Sequence, residues 1–126
     1  MIRVTCALIE ANNKVLVVQR SENMSLPNKW EFPGGKIEPN ESERACIIRE
    51  IKEELNIDIT VLKRLSPCVY KYPKRSIQLI PFLAVHKGGE LKLAEHKKFL
   101  WLQKKDLLKL NWAEADVPIV KEYLKI

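Results

Sequence analysis

Apolar residues fall in short runs along most of the chain, separated by polar or turn-forming residues. Arg3 to Glu10 is β-prone, and after Ala11-Asn12-Asn13 a Val-rich run extends from Lys14 to Arg20. Asparagine tolerates left-handed backbone, so the Asn pair predicts a hairpin. A polar connection then leads to Trp30-Glu31-Phe32, a short strand ended by Pro33 and Gly34-Gly35. Ile57 to Tyr72 predicts a long strand bent at Ser66-Pro67, and Ile77 to His86 another, in which Pro81 argues for an edge or a bulge. Gly88-Gly89 predicts a hairpin onto Glu90 to Leu93, followed by a last strand from Lys98 to Leu102. Two helical stretches close the chain, Lys104 to Leu110 and Pro118 to Leu124.

Between Asn40 and Ile57 the period changes from two to that of a helix, with Ser42 or Asn40 as its N-cap. Ile48, Ile51 and Leu55 form an arc that would face a sheet. Glu50, Glu53 and Glu54, at i, i+3 and i+4, share a neighbouring face with Glu43. Like charges at this spacing repel by a few tenths of a kcal/mol, about what an ordinary solvated acidic face tolerates; crowding beside a glycine turn points instead to a divalent cation. Many strands with one central and one terminal helix predict an α+β fold with a mixed sheet.

Composition narrows the class. A chain of 126 residues and 14.7 kDa fits one domain, residues 1–126, with a sizeable core. With 46% hydrophobic and 30% charged residues it is neither disordered nor membranous. Cys6, Cys46 and Cys68 are odd in number and widely spaced, which predicts a reducing compartment, the cytoplasm, and gives no zinc pattern. The opening MIRVTCALIE is too short in apolar length for a signal peptide or membrane span. The formal charge of +6 suits a polyanionic ligand, and equally a nucleic acid.

The helix and the turn before it together match one spacing: Gly35, five residues, Glu41, seven residues, Arg49-Glu50, Ile51, Glu53-Glu54, Asn56 and Ile57. This resembles the Nudix box of the Nudix hydrolase family. Where the family has glycine after the glutamate pair, this chain has Asn56, the next-best residue for a left-handed helix end. Asn28 to Glu38, NKWEFPGGKIE, is similar to the segment entering the box in the MutT-like branch. Glu95-His96, Phe99-Leu100-Trp101 and Ala115-Asp116-Val117-Pro118 resemble its later loop, last strand and final helix start.

The resemblance implies an α/β/α sandwich around a mixed, curved β-sheet. It implies a Mg²⁺-dependent (or Mn²⁺-dependent) nucleoside triphosphate pyrophosphohydrolase that releases monophosphate and pyrophosphate, acting on an oxidised purine such as 8-oxo-dGTP or on a cytidine nucleotide. Carried over by position, Glu50, Glu53 and Glu54 would ligate the metal together with the Gly34 carbonyl and Glu95. Arg49 would orient a catalytic carboxylate, Glu41 would support the cluster, and Glu50, then Glu53, would be the general base.

Several further residues carry two readings. Arg20 and Lys36 are candidates for phosphate or base contacts, or are plain surface cations. Phe32 either stacks on a base or fills the core. Asp116 either reads a nucleobase edge or caps the last helix. His96 reads as a surface residue, Cys46 as buried filler, and Trp112 as a core or rim residue near the base pocket. A non-catalytic module that senses nucleotides or binds nucleic acid, or a hydrolase of another diphosphate-linked nucleoside compound, are the alternatives. No stable nucleic-acid partner and no membrane are expected, and the chain would be a monomer or a homodimer.

Overall fold

The computed structural model describes residues 1–126. Eight strands form one sheet: β1 (Ile2–Ala11), β2 (Lys14–Gln19), β3 (Trp30–Glu31), β4 (Gly34–Lys36), β5 (Asp58–Arg64), β6 (Cys68–Tyr72), β7 (Arg75–Gly88) and β8 (Lys98–Leu102). The order is β3-β2-β1-β7-β5, with β4 also on β1, β6 on β7 and β8 on β2. β1 and β7 run parallel and the other pairs antiparallel, so the sheet is mixed. The Asn12-Asn13 turn has positive φ at both residues, as a tight hairpin demands.

Both faces of the sheet are covered, which is why Thr5 to Ile9 are buried without interruption. Ala7, Ile9, Leu16 and Val18 pack under α1 (Glu43–Leu55), against Ile47, Ile51 and Leu55. Cys6, Leu8, Val15 and Val17 face the other layer: a 3₁₀ turn at Lys104–Lys109, another at Glu114–Asp116, and α2 (Val117–Tyr123). The architecture is the α/β/α sandwich that the resemblance implies. No helix is long and apolar enough to cross a membrane.

Helix α1 starts where its cap dictates. Ser42, in extended conformation, accepts the Ala45 N–H, and Asn56 ends the helix at φ 60° while its N–H bonds the Lys52 carbonyl. The sheet-facing stripe differs from the expected one: Ile47 is fully buried, whereas Ile48 is 42% exposed. Ile47, Ile51 and Leu55 repeat every four residues, and Ile48 lies one step, about 100°, off that line.

Three strand expectations also change. The predicted Ile57–Tyr72 strand is two strands, β5 and β6, parted at Leu65–Pro67. Pro81 lies in β7, the strand on which β1, β5 and β6 all pair, not at an edge. Its ring is tolerated because β5 ends against Phe82 and β6 begins against Leu79, so the missing N–H faces the break between them. The Pro81 carbonyl, on that same side, accepts the Leu65 N–H at 2.8 Å. Residues 90–93 form no strand. Their backbone turns to the open end of α1, with the Lys92 N–H on the Leu55 carbonyl (2.9 Å) and the Ala94 N–H on the Glu54 carbonyl (3.0 Å).

Candidate active site

The box residues meet around Arg49. Its Nε and Nη2 fork onto Glu41 at 2.6 and 2.9 Å, and its Nη1 reaches Glu50 at 3.0 Å and Glu53 at 3.1 Å. Its Nη2 also donates to the Lys36 carbonyl at 3.2 Å, tying the helix to the glycine turn. Arg49 thereby holds the Glu41 carboxyl well below its ordinary range, and the glutamates raise the Arg49 pKa in turn. One guanidinium thus neutralises the like-charge stripe locally.

The glycine turn has a steric reason. Gly34–Lys36 pairs with β1 as a strand instead of only ending β3. A Cβ on Gly35 would lie 1.8 Å from Glu50 Oε2, so the carboxylate rests on the bare glycine backbone. Beneath it, the buried Cys46 Sγ lies 3.2 Å from Thr5 Oγ1 and donates to the Lys36 carbonyl at 3.3 Å, the filler role expected of it.

The three helix glutamates occupy different settings. The Glu53 side chain is 58% exposed and that of Glu50 only 14%. Burial pushes the Glu50 pKa up, with Arg49 opposing. Glu54 is more deeply placed: desolvation, opposed by His96 and reinforced by Glu50, Glu31 and Glu95, raises it to about 7. No three acidic, histidine or cysteine side chains converge as a ready-made metal cluster. The Glu54 Oε2 is nevertheless buried with no hydrogen-bond partner. An orphaned buried carboxylate oxygen in an otherwise all-oxygen donor set fits a hard cation such as Mg²⁺.

Beside this helix lies a cavity of about 340 Å³ lined by Gly34, Gly35, Lys36 and Glu54 at one end and by Arg20, Glu31, Phe32 and Asp116 at the other. Lys36 is exposed at the rim. Glu95 is exposed on the loop after β7, near enough to Glu54 to raise its pKa but not lining the cavity. Phe32 fills the core as one of its readings has it, its ring centroid 5.0 Å from that of Trp112, and it also lines the cavity. Trp112 itself is core, with its Nε1–H on the Leu107 carbonyl at 2.7 Å.

Asp116 is not a cap. It precedes α2, but its side chain makes no capping bond and instead accepts the Phe32 N–H through Oδ2 at 2.9 Å. It is buried, and desolvation with nearby Glu31 lifts its pKa well above the ordinary aspartate value. Arg20 is not a free cation either: its Nη1 lies 3.0 and 3.1 Å from the two Glu31 oxygens, and its Nε donates to the Ser25 carbonyl at 2.6 Å. His96, expected at the surface, is buried and bonds Glu31 Oε2 through Nε2 at 2.8 Å. Neither Glu31 nor His96 is a site member predicted from the sequence. The sequence signal for Glu31 is a charged residue between two aromatics in a strand, Trp30-Glu31-Phe32.

The Arg49-centred glutamate helix, the glycine turn and the adjoining cavity are the arrangement that the Nudix-box resemblance implies, and a family match agrees with it. The NUDIX domain model matches residues 1–123, so the chain belongs to that family and is a Nudix hydrolase acting on nucleotides. The CTP pyrophosphohydrolase of Escherichia coli (strain K12) is 33% identical over 126 residues, 100% of this chain and 93% of that protein. The 8-oxo-dGTP diphosphatase of Proteus vulgaris is 36% identical over 84 residues, 67% of this chain and 75% of that protein. Among solved structures, the E. coli ORF135 protein superposes with a TM-score of 0.88 at 33% identity, covering 99% of this chain and 89% of that one. The MutT protein of methicillin-resistant Staphylococcus aureus 252 does so at 0.79 and 42% identity, covering 98% and 95%.

Proposed function

We propose that the protein is a Mg²⁺-dependent pyrophosphohydrolase that cleaves a nucleoside triphosphate to monophosphate and pyrophosphate, with an oxidised purine such as 8-oxo-dGTP or a cytidine nucleotide as the base. One observation carries this reading: a single cavity is lined both by the glycine turn and Glu54 of the box and by the polar group of half-buried Arg20 and Glu31 with buried Asp116. A nucleotide laid along it would place phosphates at the helix and the base against Asp116. Relatives named for CTP and for 8-oxo-dGTP support the substrate class.

Glu50, Glu53, Glu54, the Gly34 carbonyl and Glu95 would hold the cation, of which Mn²⁺ is an alternative. When bound it supplies charge neutralisation of the polyphosphate and a more acidic water. Arg49 keeps Glu41 ionised, bonds Glu53, and fixes the Glu50 carboxylate over Gly35, where it accepts the proton of the attacking water. Lys36 at the rim meets phosphate. The Asp116 carboxyl, one oxygen committed to the Phe32 N–H, presents the other to a base N–H or amine. The free thiols of all three cysteines support a cytoplasmic setting.

The retained box charges weigh against a purely nucleotide-sensing module. Incubation with Mg²⁺ and a panel of common, oxidised and methylated nucleoside triphosphates, with products resolved, is expected to yield monophosphate and pyrophosphate from one base class. A panel that yields neither product, with salt-sensitive polynucleotide binding in its place, would falsify this reading.

A further inference from the structure

Glu31 projects from β3 into the cavity and accepts hydrogen bonds from two sides. Arg20, just after β2, donates from Nη1 to both carboxylate oxygens and binds Ser25 with its remaining nitrogens. From the opposite side comes His96, whose side chain is only 2% exposed and whose Nε2 lies 2.8 Å from Glu31 Oε2. A carboxylate has no proton to give, so Nε2 donates. The loop bearing His96 is itself fixed: Lys92 and Ala94 donate to the last carbonyls of α1, and the Lys97 N–H donates to the Gln19 carbonyl at 2.8 Å. His96 is therefore a rigid strut from the end of the catalytic helix and β2 to the cavity wall.

The strut has a purpose in the electrostatics of the cavity. Glu31 and Asp116 are two carboxyls lining the same cavity, and Glu31 adds to the burial that disfavours ionisation of Asp116. Without His96, the Glu31 carboxylate would be held from the Arg20 side alone.

We propose that His96 is a positioning residue for nucleotide selectivity: its bond to Glu31 fixes that carboxylate in the cavity wall, so that Glu31 and Asp116 meet the nucleoside in one register. The proposal rests on the nucleotide reading above. It assigns His96 no contact with the reacting atoms.

The test is a double-mutant cycle on the full chain with His96→Leu, Glu31→Gln and their combination, plus His96→Gln, which keeps a donor at a similar reach. The readouts are Kd for the α,β-methylene analogues of CTP and 8-oxo-dGTP, and kcat and KM for the two triphosphates. The expected result is on the order of tenfold weaker binding of the preferred analogue in each single variant, from loss of a hydrogen bond to a charged group. The double variant should be little worse than either single one, with selectivity between the analogues narrowed and the loss appearing in KM more than in kcat. His96→Gln should restore most of the affinity. Additive losses, or a fall in kcat at constant KM, would overturn the assignment while leaving the nucleotide reading in place. A His96→Leu chain that fails to fold, with His96→Gln folded but as indiscriminate as Glu31→Gln, also overturns it. Wild-type protein that binds neither analogue and hydrolyses neither triphosphate overturns the nucleotide reading, and this assignment with it.

Discussion

The two ends of the cavity handle carboxylates in opposite ways. At the helix end, Arg49 gathers the mostly shielded Glu41 and Glu50 and the exposed Glu53, and holds the Glu41 pKa below its ordinary range. At the other end, Asp116 is buried on a single backbone N–H and driven toward its neutral form. Glu54 stands between the two, raised to about 7 with one oxygen unpartnered. The difference teaches how charge is assigned to task. Under the proposed roles, Arg49 keeps the supporting carboxylate Glu41 ionised, whereas the carboxyl proposed to face a base edge has its charge made costly, so that hydrogen-bond pattern would outweigh charge in what it selects.

The comparison breaks most visibly at Glu50. If the helix end performs the chemistry, Glu50→Gln should lower kcat by about two to four orders of magnitude, the range for losing a positioned general base. Thermal stability should change little, since Gln can still accept from Arg49. A variant with unimpaired kcat and a lowered Tm would make Glu50 a structural glutamate and remove the distinction between the ends.

Gly35 gives a finer cut. In Gly35→Ala the new methyl would stand 1.8 Å from Glu50 Oε2, the far end of a flexible side chain, so the carboxylate moves and the backbone need not. Displacement by about an ångström is expected to cost up to roughly 100-fold in kcat. Melting should fall by only a few degrees. If kcat holds, Glu50 does not act from its seat on the glycine.

The two ends were also unequally legible in the sequence. The helix end was readable because its members lie within one turn and one helix: the 3.6-residue period brings Glu50, Glu53 and Glu54 together whatever the rest of the chain does. Even there phase was imperfect. Ile48 and Ile47 are equally apolar, and only packing against the sheet selects the second. The other end draws Arg20, Glu31, His96 and Asp116 from four places joined by tertiary structure alone, so His96 read as a surface residue and Asp116 as a cap. The same limit applied to the sheet. Pro81 signals a missing N–H, but which strand faces that gap depends on where β5 gives way to β6. Glycines at 88 and 89 mark a turn without saying that residues 90–94 will close the end of α1.

The smallest expected effect tests the buried end by its pH dependence. A carboxyl whose pKa is raised in the folded state binds more protons folded than unfolded between the two pKa values, so it subtracts stability as pH rises through that window. For Asp116 the window opens near the unfolded value, about 4, and extends upward to its raised folded pKa. Asp116→Asn keeps an acceptor for the Phe32 N–H and removes the titration. The variant should therefore melt higher than wild type at pH 7 to 8, by a few degrees if the relief is roughly 1 kcal/mol, and the gap should close as pH falls toward 4. Circular-dichroism melts across that range measure it directly. A gap that does not vary with pH would mean that Asp116 carries its full charge in the fold, in which case both ends of the cavity hold ionised carboxylates and base selection there rests on charge.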